Sequence, residues 1–168
     1  MPKKIYVAKS GIHGNGVFAK QDLKKGEIAF IMKGKRYHKV NHGKKDTFSH
    51  PDWVGIEKDT WIDPGGTPLQ NINHSCNPNM GIKGKVTYVM LRNAKKGEEL
   101  TFDYSTTEED MLWEMKNGEK KVPGFRPVIK SIQHLPLVTY KKYLPYIPKY
   151  LQKVYNKYHH LNSHGQKN

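Results

Sequence analysis

The sequence predicts a mainly β domain followed by a short helical C-terminal extension, and two observations support this. Over the first two thirds of the 168 residues, short apolar runs alternate with Gly, Pro and charged turn residues, which is typical of many short strands. Beyond Pro136, the spacing changes to Tyr- and Lys-rich runs that fit short helices. No apolar run approaches the ~20 residues that cross a bilayer, so we expect no membrane partner.

Each predicted strand is bounded by turn residues. The predicted strands cover residues 5–7, 16–19, 27–32, 85–92 and 99–104. Alternating apolar positions over residues 53–62 predict further strand structure, which ends at the turn sequence Asp-Pro-Gly-Gly.

The chain after the last strand carries helical signals. Thr106 and Glu109 fit a capping box, and the apolar residues that follow fall on one face, so a helix is predicted over residues 107–117. Two further short helices are predicted at residues 140–143 and 149–158, with prolines between them.

Charge divides the chain into two parts. The formal net charge is +14, yet residues 114–168 contain 11 Lys and Arg and only two acidic residues. We therefore predict one domain over residues 1–113 and a basic, Tyr-rich extension over 114–168. Such an extension is either a solvated helical surface with tyrosines packed beneath it, or a docking surface for nucleic acid or an acidic partner.

Composition excludes several classes of protein. The content of 10 Tyr, 5 Phe and 3 Trp argues against wholesale disorder. The single cysteine, Cys76, excludes an internal disulfide and a cysteine-rich zinc site. The first residues contain no apolar signal segment, so we expect an intracellular protein.

Three segments carry chemical information. They are Gly-Asn-Gly at residues 14–16, Asn-His-Ser-Cys-Asn-Pro-Asn at 73–79 and Gly-Glu-Glu-Leu-Thr-Phe-Asp-Tyr at 97–104. Taken singly, they fit a tight hairpin loop, a polar turn and a strand that follows a turn. A nucleophilic pair of His74 and Cys76 is not expected, because neighbouring side chains of an extended chain point apart.

In this order and spacing, the three segments resemble the SET-domain protein-lysine methyltransferases, over about residues 4–113. The resemblance implies small curved β-sheets in which the C-terminal strand threads beneath a preceding loop as a pseudoknot. It also implies S-adenosylmethionine as the cofactor, and a protein substrate, commonly a histone, that presents a target lysine.

The resemblance further implies a role for individual residues. Tyr104 matches the catalytic tyrosine, whose hydroxyl orients the amine or assists with its proton. Phe102 stands where the family carries Tyr or Phe, and Phe removes a polar anchor, which implies a capacity for di- or trimethylation. Asp103 is expected to hydrogen-bond within the knot. The residues implied to hold the cofactor are His13, Gly14, Asn15, Gly16, Asn73, His74, Tyr104 and Trp113.

The sequence departs from the family pattern at two places. Gln70 replaces a common Arg, and the zinc-binding cysteines that often follow the domain are absent, so no metal is expected. Cys76 is then expected to pack as a small buried apolar group. Another element must close the lysine channel, and the candidates are the helix predicted at 107–117, Trp113, Phe125 and the Tyr-rich tail.

Two functional interpretations remain open. The first is an active protein-lysine methyltransferase. The second is a catalytically silent SET-derived binding protein, tethered to nucleic acid or to a protein complex by its basic tail. For either we expect a monomer, located in the nucleus of a eukaryotic cell or in a bacterial or viral cytoplasm.

Overall fold

A computed structural model describes residues 4–38, 53–118 and 122–160, which form four small antiparallel sheets and two α-helices. The mainly β fold with a helical C-terminal extension is therefore confirmed. The strands are β1 Ile5–Lys9, β2 Asn15–Ala19, β3 Ile28–Ile31, β4 Lys35–His38, β5 Val54–Glu57, β6 Thr60–Asp63, β7 Met80–Lys83, β8 Thr87–Met90, β9 Glu99–Leu100, β10 Glu114–Lys116 and β11 Val128–Lys130. The α-helices are α1 Leu137–Tyr143 and α2 Lys149–Tyr158, and short 3₁₀ helices occur at Pro68–Asn71, Tyr104–Thr106, Ile132–His134 and Leu144–Tyr146.

The strands pair into sheets of two or three strands each. The sheet orders are β1-β2-β9, β3-β8-β7, β4-β6-β5 and β10-β11. Alternate residues of β2 and β8 point inward, and Val17, Tyr88 and Met90 are fully buried in a core between the sheets. This core accounts for the apolar runs that predicted the strands.

The structure divides one predicted strand region into two strands and adds strands that were not predicted. The run over residues 53–62 is a hairpin of β5 and β6, since Asp59 reverses the chain with a φ of 53°. The mostly exposed β4 carries little apolar signal. For β7, the proline two residues before it marked the segment as a turn rather than a strand.

The predicted helix at residues 107–117 is wrong. The hydroxyls of Thr106 and Thr107 donate backward to the carbonyl oxygens of Asp103 and Tyr104, at 2.6 and 3.0 Å, and close a 3₁₀ turn instead of capping a helix. Hydrogen bonds from side chains to nearby backbone compete with helix formation in this way.

Further along the same segment, the chain becomes a strand. Met115 lies opposite Ile129 in the β10–β11 pair, and Leu112 is 89% exposed, so the two residues do not share a buried helical face. The periodicity that indicated a helix was coincidental.

The last predicted strand, over residues 99–104, forms a regular ladder only at Glu99–Leu100. Phe102 then makes a single parallel bridge with His74. On either side of this bridge, Met80 N–H donates to Thr101 O at 3.0 Å and Ser75 N–H donates to Phe102 O at 3.1 Å. This crossing of two distant segments forms the pseudoknot of the predicted fold.

The C-terminal extension has a hydrophobic cluster of its own. The rings of Tyr140 and Tyr155 stack at 3.7 Å between centroids, beneath the exposed lysines of α1 and α2. A Cβ on Gly81 of β7 would lie 2.6 Å from the Cβ of Tyr146, so the backbone of β7 tolerates no side chain at this contact. Among the described residues, no helix has the length and apolarity to span a membrane.

Candidate active site

The glycine loop between β1 and β2 is clamped by the side chain of Asn73. Its Nδ2 atom lies 3.0 Å from the carbonyl oxygens of His13 and Asn15 and 2.8 Å from Oε1 of Glu99. An amide nitrogen has only two hydrogens to donate, so these acceptors share them. The Asn73 side chain thereby holds the loop from beneath. The predicted cofactor residue Asn73 is thus a support for the loop backbone.

Glycine is favoured at two positions of this loop for different physical reasons. Gly14 adopts a φ of 50°, which disfavours a residue with a side chain. Gly16 is buried, and a Cβ there would collide with the Glu99 carboxylate. His13, Gly14 and Asn15 are exposed, so the outer side of the loop is accessible to a ligand.

His74 connects the second and third sequence segments. The backbone N–H of Tyr104 donates to its Nδ1 atom at 3.2 Å. The neutral ring therefore carries its proton on Nε2, which lies 3.4 Å from the sulfur of Cys76. The expectation that the His74 and Cys76 side chains point apart is wrong, because the two residues are separated by one position and alternate residues of an extended chain lie on the same side.

Tyr104 is fixed at both ends. Besides the backbone contact with His74, its hydroxyl donates to the carbonyl oxygen of Ile72 at 2.6 Å. Its ring lies edge-on to His74, with 5.4 Å between centroids, and 5.0 Å from the ring of Phe102. The hydrogen of the hydroxyl is therefore held in one direction, toward Ile72 O.

A cavity of about 110 Å³ opens beside this tyrosine. Three of the predicted site residues, Phe102, Tyr104 and Trp113, line it, whereas residues 13–16, Asn73 and His74 do not. The described residues that complete its wall are Met32, Trp53, Val54, Pro64, Leu69, Gln70, Ile72, Thr107 and Glu108. The predicted residues thus form two groups, a loop with its clamp and a pocket, which meet where His74 contacts Tyr104.

Glu108 is a pocket residue that sequence reasoning missed. Burial raises the pKa of its carboxyl above the ordinary value, and the neighbouring Asp110 and Glu109 raise it further, although the carboxylate accepts hydrogen bonds from the N–H groups of both residues, each at 2.8 Å. The run of three acids at residues 108–110, in a chain with few acids, was the signal that could have identified it.

The segment after the pocket is tied to the pseudoknot by an ion pair. Asp103 is 1% exposed, and its carboxylate accepts a hydrogen bond from the guanidinium of Arg126. The same guanidinium donates to Ser105 Oγ at 3.0 Å. Burial alone would lower the pKa of Arg126, but the charge of Asp103 raises it above the ordinary value. Asp103 thus hydrogen-bonds within and across the knot, as the resemblance implied.

Cys76 joins this attachment. Its sulfur accepts from the backbone N–H of Arg126 at 3.3 Å and lies 3.4 Å from Nδ2 of Asn117. The Asn117 amide also donates to the carbonyl oxygen of Arg126, at 2.8 Å. Cys76 is buried as expected, but it is a hydrogen-bond acceptor rather than only an apolar filler, because it sits among donors from two segments.

Among the described residues of the elements expected to close the channel, only Trp113 lines the pocket. No helix forms at residues 107–117. Phe125 does not line the pocket but lies in a turn, where its backbone N–H donates to Val122 O at 2.9 Å. The β10–β11 pair follows Trp113 directly in the chain. It is anchored by Arg126 and Asn117.

Comparison with known proteins agrees with this geometry. The family model of the SET domain matches residues 14–105. The chain is 32% identical over 123 residues to the variant-silencing SET domain-containing protein of Plasmodium falciparum. It is 31% identical over 120 residues to histone-lysine N-methyltransferase 2B of Homo sapiens, and 30% identical over 118 residues to histone-lysine N-methyltransferase ATX2 of Arabidopsis thaliana.

These alignments cover 61%, 63% and 61% of this chain, but only 5%, 4% and 11% of the respective relatives. The chain therefore corresponds to a small part of each relative's length. Because the family model spans more than half of the sequence, the chain belongs to the SET domain family.

The ion pair between Asp103 and Arg126 gives a prediction for stability. Replacing Arg126 by Met keeps the length of the side chain but leaves the buried carboxylate of Asp103 uncompensated. We expect the free energy of unfolding to fall by about 3–5 kcal/mol, measured by urea denaturation.

The matched control is Lys95→Met, which breaks an ion pair with Asp22 whose partners are 83% and 60% exposed. Because solvent screens this exposed pair, its loss should lower the free energy of unfolding much less than the loss of the Arg126 pair. Equal losses in the two variants would contradict the anchoring role of Arg126.

Proposed function

We propose that this chain is an S-adenosylmethionine-dependent methyltransferase that acts on lysine side chains of protein substrates. The observation that carries the proposal is the pocket lined by Phe102, Tyr104 and Trp113, in which the tyrosine hydroxyl is held by Ile72 O. Membership of the SET domain family, and relatives named histone-lysine N-methyltransferases, support the same activity.

The residues present fit the cofactor. The loop at residues 13–15 is exposed and has its backbone fixed from beneath by Asn73, so its outer polar groups can face a ligand without reorganisation. When bound, S-adenosylmethionine supplies an electrophilic methyl group on a positively charged sulfonium. The residues that would hold it are His13, Gly14, Asn15, Gly16, Asn73, His74, Tyr104 and Trp113.

Tyr104 is the proposed catalytic residue. A lysine ammonium has a pKa of about 10.4 in water and must become neutral before it can attack. A pocket of low dielectric favours the neutral amine. The Tyr104 hydroxyl, whose hydrogen is directed to Ile72 O at 2.6 Å, can then accept a hydrogen bond from the amine and hold its lone pair toward the methyl group.

The distribution of acids supports a basic substrate. The chain carries a net charge of +14 and would repel a basic peptide. Glu108 nevertheless lines the pocket, beside Glu109 and Asp110, and provides local negative charge where a lysine would enter. A histone or another basic protein is therefore the proposed substrate, and in a eukaryotic cell the nucleus is the proposed location.

Phe102 is the residue from which we infer how many methyl groups the product lysine carries. Its ring lines the pocket beside Tyr104 and carries no hydroxyl that could hold a water next to the amine. Space that such a water would occupy is left for additional methyl groups. Di- or trimethyl-lysine is therefore the proposed product.

A second function is favoured by the surface of α2. Lys149, Lys153 and Lys157 are exposed at intervals of four residues and so share one side of the helix. The described residues provide no ion pair for these lysines, and no acid follows Glu119 in the sequence. This surface suits a polyanion such as nucleic acid, and a monomeric binding protein without turnover could use it as a tether.

Replacing Tyr104 by Phe tests the first function. We expect methyl transfer from labelled S-adenosylmethionine to a histone mixture or cell lysate to be lost, because the amine loses its hydrogen-bond acceptor. Tyr158→Phe, which changes a residue that is 47% exposed on α2, is the control and should retain activity.

If the wild-type protein transfers no methyl group to any of these substrates, the proposed activity is wrong. Retention of duplex DNA by that inactive protein, lost on changing Lys149, Lys153 and Lys157 to Gln, would then favour the binding function. Equal activity of Tyr104→Phe and the wild type would instead remove Tyr104 from the mechanism.

Phe102→Tyr is expected to shift the product toward monomethyl-lysine, because the added hydroxyl restores a polar anchor beside the amine. Mass spectrometry of a methylated peptide at matched total turnover measures the shift. An unchanged ratio of mono-, di- and trimethyl products would contradict the role of Phe102.

Glu108 predicts a pH dependence of substrate binding. Because the pKa of Glu108 is raised, this carboxylate becomes protonated at a higher pH than an ordinary Glu when the pH is lowered. KM for a lysine peptide should therefore rise as the pH falls through that range. In Glu108→Gln, KM should be raised roughly tenfold at neutral pH, the equivalent of one charge-assisted hydrogen bond, and this acid limb should vanish.

Glu57→Gln is the control, since this acid is exposed and paired with Lys85 at 2.7 Å. It should leave KM and its pH profile unchanged. A Glu108→Gln profile that matches the wild type would exclude contact between Glu108 and the substrate.

A further inference from the structure

Glu99 of β9 is a half-buried acid that lies directly beneath the glycine loop between β1 and β2. Its carboxylate accepts hydrogen bonds from Ser10 Oγ, at 2.8 and 2.9 Å to the two oxygens, and from Asn73 Nδ2 at 2.8 Å. Both donors are neutral groups. None of the ion pairs between described residues includes Glu99, so this part of the chain gives its negative charge no cationic partner.

The adjacent acid, Glu98, has different surroundings. Its carboxylate lies 2.6 Å from Nη1 of Arg92 and 3.1 Å from Nδ2 of Asn79. Glu98 is therefore neutralised by a guanidinium, whereas the carboxylate of Glu99 is held by neutral donors alone. Withdrawing a carboxylate from water without a counter-charge costs free energy. A cation supplied by a ligand would offset this cost, so the loop above Glu99 favours a positively charged ligand.

The carboxylate of Glu99 is coupled to the backbone of the loop. Ser10 Oγ, which donates to this carboxylate, accepts from the backbone N–H of Ile12 at 2.8 Å and of His13 at 3.3 Å. Gly16 lies against the carboxylate itself, because a Cβ at this position would collide with Oε1 of Glu99. The negative charge is thus in contact with the loop whose outer side is accessible to a ligand.

The cofactor proposed for this loop differs in charge from the product that it leaves. Methyl transfer breaks the bond between sulfur and the methyl carbon, and the electron pair of this bond stays on sulfur while the lysine nitrogen forms the new bond. The positive sulfonium of S-adenosylmethionine thereby becomes the neutral thioether of S-adenosylhomocysteine. A nearby carboxylate attracts the first form more strongly than the second, and this attraction is larger in a partly desolvated site than in bulk water.

We propose that Glu99 is a specificity-determining residue, whose negative charge shifts the affinity of the glycine loop toward S-adenosylmethionine and away from S-adenosylhomocysteine. The same charge favours release of the used cofactor after each methyl transfer. Glu99 acts from beneath the loop and does not contact the reacting atoms. The inference rests on the proposed methyltransferase function.

The test is Glu99→Gln, which removes the charge and keeps the size of the side chain and one acceptor oxygen. Isothermal titration calorimetry measures Kd for S-adenosylmethionine and for S-adenosylhomocysteine, each added alone and without a protein substrate. We expect the affinity for S-adenosylmethionine to fall roughly fivefold more than that for S-adenosylhomocysteine, as for the loss of one partly screened charge pair. Loss of support for the loop alone would weaken the binding of both compounds equally.

The matched control is Glu98→Gln, which changes the net charge by the same amount at the adjacent position, where Arg92 already pairs with the acid. This variant should keep the wild-type ratio of the two affinities. A second comparison, of Glu99→Asp with Glu99→Asn, repeats the test with a shorter side chain. We expect the Asp variant to retain the ratio and the Asn variant to lose it, even where both variants bind each compound more weakly.

Either of two results would overturn the role of Glu99 alone, namely an unchanged ratio of affinities in Glu99→Gln, or an equal shift of that ratio in Glu98→Gln. The first would mean that Glu99 only supports the loop, and the second that the net charge of the protein sets the ratio. A wild-type protein that binds neither compound would overturn the proposed function and this inference together.

Discussion

The arrangement of this molecule depends on one parallel contact between segments that are distant in sequence, the bridge between His74 and Phe102. Strands that meet in parallel need a long connection, and here β7 and β8 lie between the two segments. Because the backbone at residues 101–104 is fixed against residues 73–80, the imidazole of His74 can receive the N–H of Tyr104, and the Tyr104 hydroxyl can reach Ile72 O. The clamp of the glycine loop and the wall of the pocket are thereby joined in one rigid unit.

The crossing is closed by a cluster of polar groups, in a position where the resemblance to other SET domains would imply zinc-binding cysteines. The buried carboxylate of Asp103 pairs with Arg126, and the sulfur of Cys76 accepts from the backbone of the same residue. A buried ion pair contributes little net stability compared with well-packed apolar residues, but removal of one partner is costly. The cluster therefore fixes the segment around Arg126 against the pseudoknot, while its net contribution to stability is small.

Charge and chemistry occupy different regions of the chain. Most of the excess positive charge lies after Trp113, whereas Glu108 lines the pocket and is followed in the sequence by two more acids. Coulomb interactions between exposed charges are screened within about 10 Å at moderate ionic strength, so the acids near the pocket keep a locally negative surface despite the overall positive charge. The lysines of α2 are exposed on a separate surface, above the packed rings of Tyr140 and Tyr155.

The sequence alone determined the fold class, the strands around Val17 and Tyr88, both C-terminal helices and the three segments of the site, since these depend on local apolar periodicity and on spacing along the chain. Only the tertiary structure decided that residues 107–117 form turns and a strand, because the backward hydrogen bonds of Thr106 and Thr107 compete with a helix. Likewise, the pairing of Cys76 with Arg126 and the acid in the pocket depend on contacts between distant residues. Such contacts leave no periodic signal in a sequence, because they are fixed by how the sheets pack rather than by any local preference of the chain.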